Sequence, residues 1–223
     1  MNNQTQHRSV MIEGPAGRLE GLLWAHKNPP LAAVICHPHP LYGGTMHNKV
    51  VYHVAKTLHG YGLAVLRFNF RGVGLSEGAH DNGRGETEDV YAALNYLAKE
   101  FHGTPLLVAG FSFGAAVGLR SGCEDSRVSE LIGLGFPVND SDAGYLRACT
   151  KPKLFIQGSE DRFGLKGNWE ESVAGISSEG SPDTRVVFIR GADHFFTDRI
   201  DEMTHALSNW LLERHPLLRP VES

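Results

Sequence analysis

Residues 32–36 read Ala-Ala-Val-Ile-Cys, an apolar run without a polar break. A strand with one wet face alternates apolar and polar residues, so an unbroken run marks a strand covered on both faces. Largely apolar runs recur at 64–68, 106–109, 131–134, 153–157 and 186–189, with Arg67, Lys153 and Gln157 as their polar members. Between them lie longer stretches whose apolar residues fall at helical spacing. These are 50–59 (Val51, Val54, Ala55, Leu58), 87–101 (Val90, Ala93, Leu94, Leu97) and 197–213 (Ile200, Met203, Leu207, Trp210, Leu211). Buried strands alternating with helices require crossover connections, a mainly parallel sheet and helices on both faces. The stretches 10–12 and 19–24, joined by Glu13-Gly14-Pro15-Ala16-Gly17, predict an antiparallel hairpin at one edge. No repeat, low-complexity stretch or linker interrupts residues 1–223, which predicts a single α/β domain with 216–223 as a loosely attached tail.

Charge and cysteine content narrow the partners. The formal net charge is −4 and no Lys/Arg-rich block occurs, which argues against a nucleic-acid partner. No apolar run approaches the roughly 20 residues of a membrane span. Residues 1–8 contain no apolar segment of the secretory kind, so a cytoplasmic location is expected. Cys36, Cys123 and Cys149 are widely spaced, odd in number and form no CxxC pair. They read as small buried hydrophobes in a reducing compartment, with no disulfide framework or zinc ribbon.

The run at 106–109 leads into Gly110-Phe111-Ser112-Phe113-Gly114 and then the small-residue stretch Ala115-Ala116-Val117-Gly118. This is GxSxG between a strand and a helix, the context that a nucleophile elbow requires. The serine backbone is strained in such a turn, and flanking glycines let strand and helix approach closely. The hydroxyl then stands at a helix N-terminus, where developing negative charge is favoured. The bland alternative is a tight strand–helix turn of the type found in nucleotide folds.

A serine hydroxyl is a weak nucleophile and needs a base, with a carboxylate to hold that base's tautomer. With an elbow of this type, acid and then base follow the serine along the chain. Downstream histidines are His194, His205 and His215. His205 and His215 lie in or beyond the last helix and read as solvated, whereas His194 follows the strand at 186–189 on a loop at its C-terminal end, where sites of open α/β sheets gather. Asp161, on the loop leaving the preceding strand, is the acid; Glu160 is its local rival. Asp193 adjoins the base and reads as a cap for the final helix.

Together these pieces resemble the α/β-hydrolase superfamily, and within it the small, lidless bacterial serine hydrolases related to the dienelactone-hydrolase-like and prolyl-oligopeptidase-like groups. The resemblance rests on His37-Pro38-His39-Pro40-Leu41-Tyr42-Gly43-Gly44-Thr45-Met46, on Arg67-Phe68-Asn69-Phe70-Arg71-Gly72-Val73-Gly74-Leu75-Ser76, and on the stretches 110–114, 158–161 and 191–195. It implies an α/β-hydrolase fold with Ser112, Asp161 and His194 as catalytic residues. Where the superfamily places His-Gly after the third strand, this chain has His37-Pro38, so His39 N–H becomes the first oxyanion donor by position and Phe113 N–H the second. Leu41 or Tyr42 is the alternative donor, since Pro38 and Pro40 carry no N–H. His37 and His39 share one face of an extended segment and also fit a metal pair; the structural reading of His37, hydrogen-bonding the loops around the elbow, is preferred.

Family members with a helical cap insert it between the strands corresponding to 131–134 and 153–157; here residues 135–152 are too few for one. An open cleft follows, with Tyr42, Phe136 and Phe163 as substrate-binding walls and local packing as the competing role for each. A dinucleotide fingerprint at Arg71-Gly72-Val73-Gly74 lacks its third glycine, Glu77 standing there, and no phosphate-binding loop exists. The expectation is a serine hydrolase of short-chain carboxylic esters with no cofactor and no metal, whose partner is a small-molecule ester. An uncovered cleft leaves room for a homodimer partner to roof it. Thioesterase and peptidase activities use the same three residues, and a non-catalytic scaffold is the reading from a different class.

Overall fold

The computed structural model describes residues 6–139, 144–164, 169 and 183–221. Eight strands form one sheet: β1 (Gln6–Gly14), β2 (Gly17–Ala25), β3 (Ala32–Cys36), β4 (Ala64–Phe68), β5 (Leu106–Phe111), β6 (Val128–Leu134), β7 (Lys153–Gly158) and β8 (Thr184–Ile189). Their spatial order is β1-β2-β4-β3-β5-β6-β7-β8. The pairs β1–β2 and β2–β4 are antiparallel and all others parallel, so the N-terminal edge is antiparallel on an otherwise parallel sheet. The first two strands are longer than their apolar stretches because β1 pairs with β2 over its whole length, from Gln6↔Ala25 to Gly14↔Gly17. Backbone pairing extends a hairpin past the residues that patterning identifies.

Every residue of β3, β4, β5 and β7 is buried, including the polar Arg67, Lys153 and Gln157. Helices α1 (Lys49–Gly60), α2 (Arg84–Glu100), α3 (Phe113–Glu124), α4 (Tyr145–Ala148) and α5 (Ile200–Arg214) follow in chain order. One core cluster joins the sheet to α2 and α3 through Val90, Leu94, Leu97, Ala115 and Leu119. The other joins the opposite face to α1 and α5 through Val51, Val54, Leu58, Met203, Leu207 and Leu211. A fully buried leucine or valine contributes about 1.5–3 kcal/mol, so both faces hold the sheet in place. Among the described residues no helix is long and apolar enough to cross a membrane. Past α5, Leu218 packs on the second cluster and Val221 N–H donates to Gly60 O over 2.7 Å.

Two helices start elsewhere than their periodicity suggests. Helix α2 begins at Arg84 rather than near residue 87 because Glu86 is wholly buried and its carboxylate accepts Asp81 N–H at 2.9 Å and Gly83 N–H at 2.8 Å. That carboxylate satisfies donors ahead of the helix and so extends it backwards. Helix α5 begins at Ile200 rather than 197. Asp193, expected as its cap, instead accepts Phe195 N–H, Thr197 N–H and the Thr197 hydroxyl, closing the turn after His194.

Between β6 and β7 the described residues hold only the four-residue α4, and no cap domain is found among the described residues.

Candidate active site

The site stands at the C-terminal ends of β3, β5, β7 and β8. Strand β5 ends at Phe111 and α3 starts at Phe113, so Ser112 occupies the whole turn, at φ 57° and ψ −122°. That positive φ is costly for a residue with a side chain and persists because the surroundings fix it. Ser112 N–H donates to Leu134 O at 2.9 Å. A Cβ at Gly114 would lie 2.4 Å from His37 O, and one at Gly110 would lie 2.3 Å from Gly114 O. Both glycines therefore permit the elbow by close backbone approach.

His194 Nε2 lies 2.9 Å from Ser112 Oγ, and His194 Nδ1 lies 2.8 Å from Asp161 Oδ2. Asp161 also accepts Gln157 Nε2 at 2.7 Å and Phe163 N–H at 2.8 Å. Three donors fix the orientation of this carboxylate, and the contact with His194 places the imidazole proton on Nδ1, so Nε2 faces the hydroxyl. Asp161 is 1% exposed and His194 8%, whereas Ser112 is only partly buried. The ring of His194 is held by Phe111 at 5.0 Å, Phe163 at 4.7 Å and Phe195 at 5.2 Å. Glu160 is exposed, His205 is exposed on α5, and His215 bonds Glu130 at 2.9 Å. The three residues singled out for acid, base and nucleophile meet, and the rivals stand apart.

Two residues that line the cleft together with Ser112 carry an uncommitted backbone donor. Phe113 N–H heads α3 and donates to no described group, and the same is true of His39 N–H. The alternatives Leu41 and Tyr42 are spent: Leu41 N–H donates to His39 Nδ1 at 3.2 Å and Tyr42 N–H to His39 O at 3.1 Å.

His37 anchors this loop. Its Nε2 accepts Phe70 N–H at 3.0 Å and its Nδ1 donates to Pro38 O at 2.6 Å, so both ring nitrogens are engaged inside the protein and the metal-pair reading loses one ligand. One residue further, Arg71 N–H and guanidinium bind Asp89 of α2, with the closest contact at 2.8 Å. The oxyanion loop, the loop after β4 and α2 are thus connected in series.

Burial lowers the His37 imidazole from 6.5 to about 4. The folded state therefore needs a neutral ring, while the unfolded chain takes up a proton first as pH falls. Stability from this group is complete above about pH 6.5 and is lost as pH falls towards 4, by at most ~1.4 kcal/mol per pH unit. Urea unfolding across pH 7.5–4 is expected to show this loss, and His37→Gln, which still accepts Phe70 N–H, is expected to lose less. Parallel profiles for the two proteins would assign the loss to other groups.

A cleft of about 550 Å³ opens over Ser112, lined by His39, Tyr42, Asn48, Phe113, Pro137, Phe163, His194 and Phe195 among others. Tyr42 and Phe163 stand on its walls, 86% and 47% exposed. Phe136 does not, and that expectation is corrected. It is wholly buried, packed edge-on against Phe155 at 5.7 Å and Trp169 at 5.9 Å beneath the loop. The neighbouring Pro137 faces the cleft instead. Gly135, at φ 50°, turns the chain directly after β6, so the next aromatic side chain points into the core rather than out of it. Sequence reasoning also missed Gln157 and Phe195. Gln157 sits inside a buried strand with a polar side chain, which is a signal in itself, because a buried amide needs a partner. Among the described residues no group of three or more His, Cys, Asp or Glu is arranged to hold a metal ion.

Residues 33–212 match the model of an alpha/beta hydrolase domain family. An uncharacterized protein of Rickettsia prowazekii (strain Madrid E) is 37% identical over 212 residues, which cover 91% of this chain and 88% of that one. A putative alpha/beta hydrolase of unknown function from Agrobacterium tumefaciens superposes with a TM-score of 0.88 at 31% identity, covering 95% of this chain and 99% of that one. A serine hydrolase without a lid from Xanthomonas campestris gives 0.85 at 29% identity, covering 99% and 98%. With its sheet order, its elbow and a family match spanning most of its length, the chain belongs to the alpha/beta hydrolases.

Proposed function

We propose that the protein hydrolyses short-chain carboxylic esters through an acyl-enzyme on Ser112. The observation that carries this reading is the unbroken line Ser112 Oγ, His194 Nε2, His194 Nδ1, Asp161 Oδ2, with contacts of 2.9 and 2.8 Å. In the first half-reaction Ser112 Oγ bonds the ester carbonyl carbon while its proton passes to His194 Nε2. The carbonyl oxygen becomes an oxyanion facing Phe113 N–H and His39 N–H. One such donor is worth about 2.7–4 kcal/mol in the transition state. Collapse breaks the bond to the alkoxide, which takes the proton from Nε2. In the second half-reaction water gives its proton to Nε2 and attacks the acyl carbon. The carboxylic acid leaves, and Ser112 Oγ regains the proton. Asp161 remains an anion throughout and holds the Nδ1 proton.

The short-chain preference follows from the open cleft. Each methylene contributes ~0.8 kcal/mol only where it leaves water, and chain extending beyond Tyr42 and Phe163 remains wet. In a series of 4-nitrophenyl esters, kcat/KM is expected to be highest from acetate to butyrate and to fall towards palmitate. A rate rising to palmitate would overturn the chain-length reading. Absence of a fluorophosphonate adduct on Ser112 would overturn the enzyme itself. Thioester analogues run in parallel decide between ester and thioester.

A further inference from the structure

Two polar side chains on the cleft wall have their acceptor atoms committed by the fold, so each offers only protons to a ligand. Asn48 caps α1: its Oδ1 accepts Val50 N–H at 2.9 Å and Val51 N–H at 3.5 Å. That fixes the amide orientation and leaves the Nδ2 protons over for the cleft, which Asn48 lines. His39 Nδ1 accepts Leu41 N–H at 3.2 Å, which places the neutral ring's proton on Nε2. Burial and the neighbouring His80 ring at 5.0 Å both favour that neutral form. The ring is braced by Phe113 at 4.8 Å and Tyr42 at 4.7 Å, so it holds one orientation. Neither His39 Nε2 nor Asn48 Nδ2 meets a hydrogen-bond acceptor among the described residues. Pro137, Phe163 and Phe195 line the same cleft and bring no polar side chain to it.

The cleft lining therefore combines uncharged donors with apolar surface and Ser112. We propose that it selects esters that carry, beyond the scissile carbonyl, a second uncharged oxygen acceptor such as a ketone, ether or hydroxyl. His39 and Asn48 would bind this oxygen. A plain aliphatic chain offers neither donor an acceptor, so the oxygenated ester gains a hydrogen bond that the analogue lacks. A carboxylate is the wrong complement, because no Arg or Lys lines the cleft among the described residues. The inference rests on the ester-hydrolase reading above and adds the substrate class.

The test uses paired 4-nitrophenyl esters of matched shape: methoxyacetate against butyrate, and 4-oxopentanoate against 4-methylpentanoate, with the hemisuccinate as the anionic arm. Each kcat/KM is divided by the rate of hydroxide hydrolysis, which removes the intrinsic reactivity of the acyl group. The oxygenated member of at least one pair is expected to be favoured about tenfold, the weight of one well-placed hydrogen bond. Asn48→Asp and Asn48→Ser keep the cap on α1 and remove the amide protons; His39→Phe keeps the ring packing and removes Nε2–H. The ratio is expected to fall towards one in the Asn48 variants and in His39→Phe. A ratio near one in the wild type, or one unchanged by all three substitutions, overturns the proposal, as does a preference for the hemisuccinate. Absence of turnover of every ester, together with no Ser112 adduct, is a distinct outcome that removes the underlying reading as well.

Discussion

Ser112→Ala is expected to lower kcat/KM for 4-nitrophenyl butyrate by at least about a thousand-fold and by up to about a million-fold. The loss has one cause: the Oγ that His194 Nε2 approaches at 2.9 Å is gone, while the proposed oxyanion donors, Phe113 N–H and His39 N–H, are left in place. Binding should therefore survive, with KM changed far less than kcat. Covalent labelling by a fluorophosphonate should disappear together with turnover. Retention of more than a hundredth of the wild-type rate would place the nucleophile elsewhere. Because the alanine keeps a Cβ, the backbone at φ 57° remains as strained as before, and the unfolding midpoint should move little.

The second large effect belongs to Asp161. In Asp161→Asn the fold is expected to persist, because an amide fills the same volume and Oδ1 can still accept Phe163 N–H. The other position then turns an NH2 towards both Gln157 Nε2 and His194 Nδ1, which stand 2.7 and 2.8 Å from the present Oδ2. Donor meets donor, so the imidazole moves its proton to Nε2 and can no longer accept from Ser112. A loss of about ten-thousand-fold in kcat is expected from the wrong tautomer, with the structure intact. Glu160→Gln, one residue away and exposed, serves as the control and should stay within a few-fold of wild type. If Asp161→Asn matched that control, the carboxylate would have no part in holding the base.

Much of this architecture was legible because its causes are local. Buried strands announce themselves by largely apolar runs, and β3 and β4 begin and end where those runs do, although Arg67 interrupts the second. Ser112 was legible because the elbow needs glycines that the sequence displays on both sides, and His194 because few histidines follow it. What escaped depends on contacts between distant residues. The start of α2 is set by the side chain of Glu86 reaching back to Asp81 and Gly83, which periodicity does not register. Phe136 and Pro137 are adjacent, and only the turn at Gly135 decides which of them faces the cleft. Position along a loop is a one-dimensional quantity, whereas lining a cleft depends on direction. Gln157 escaped for another reason: a polar side chain in the buried strand β7 signals that a partner exists, but which group it meets, Asp161, is set by the loop that follows.

The backbone of Ser112 also places two selective pressures in opposition. Its φ of 57° lies in a region that glycine occupies freely and that costs other residues of the order of 1–3 kcal/mol. A Ser112→Gly protein would relax that strain and lose its reactive oxygen in the same step. Screening a library of this chain for heat resistance alone would thus tend to enrich dead variants at position 112. Improvement without loss of function has to be sought at residues far from the elbow, such as the exposed faces of α2 and α5, where no backbone tension is tied to the chemistry.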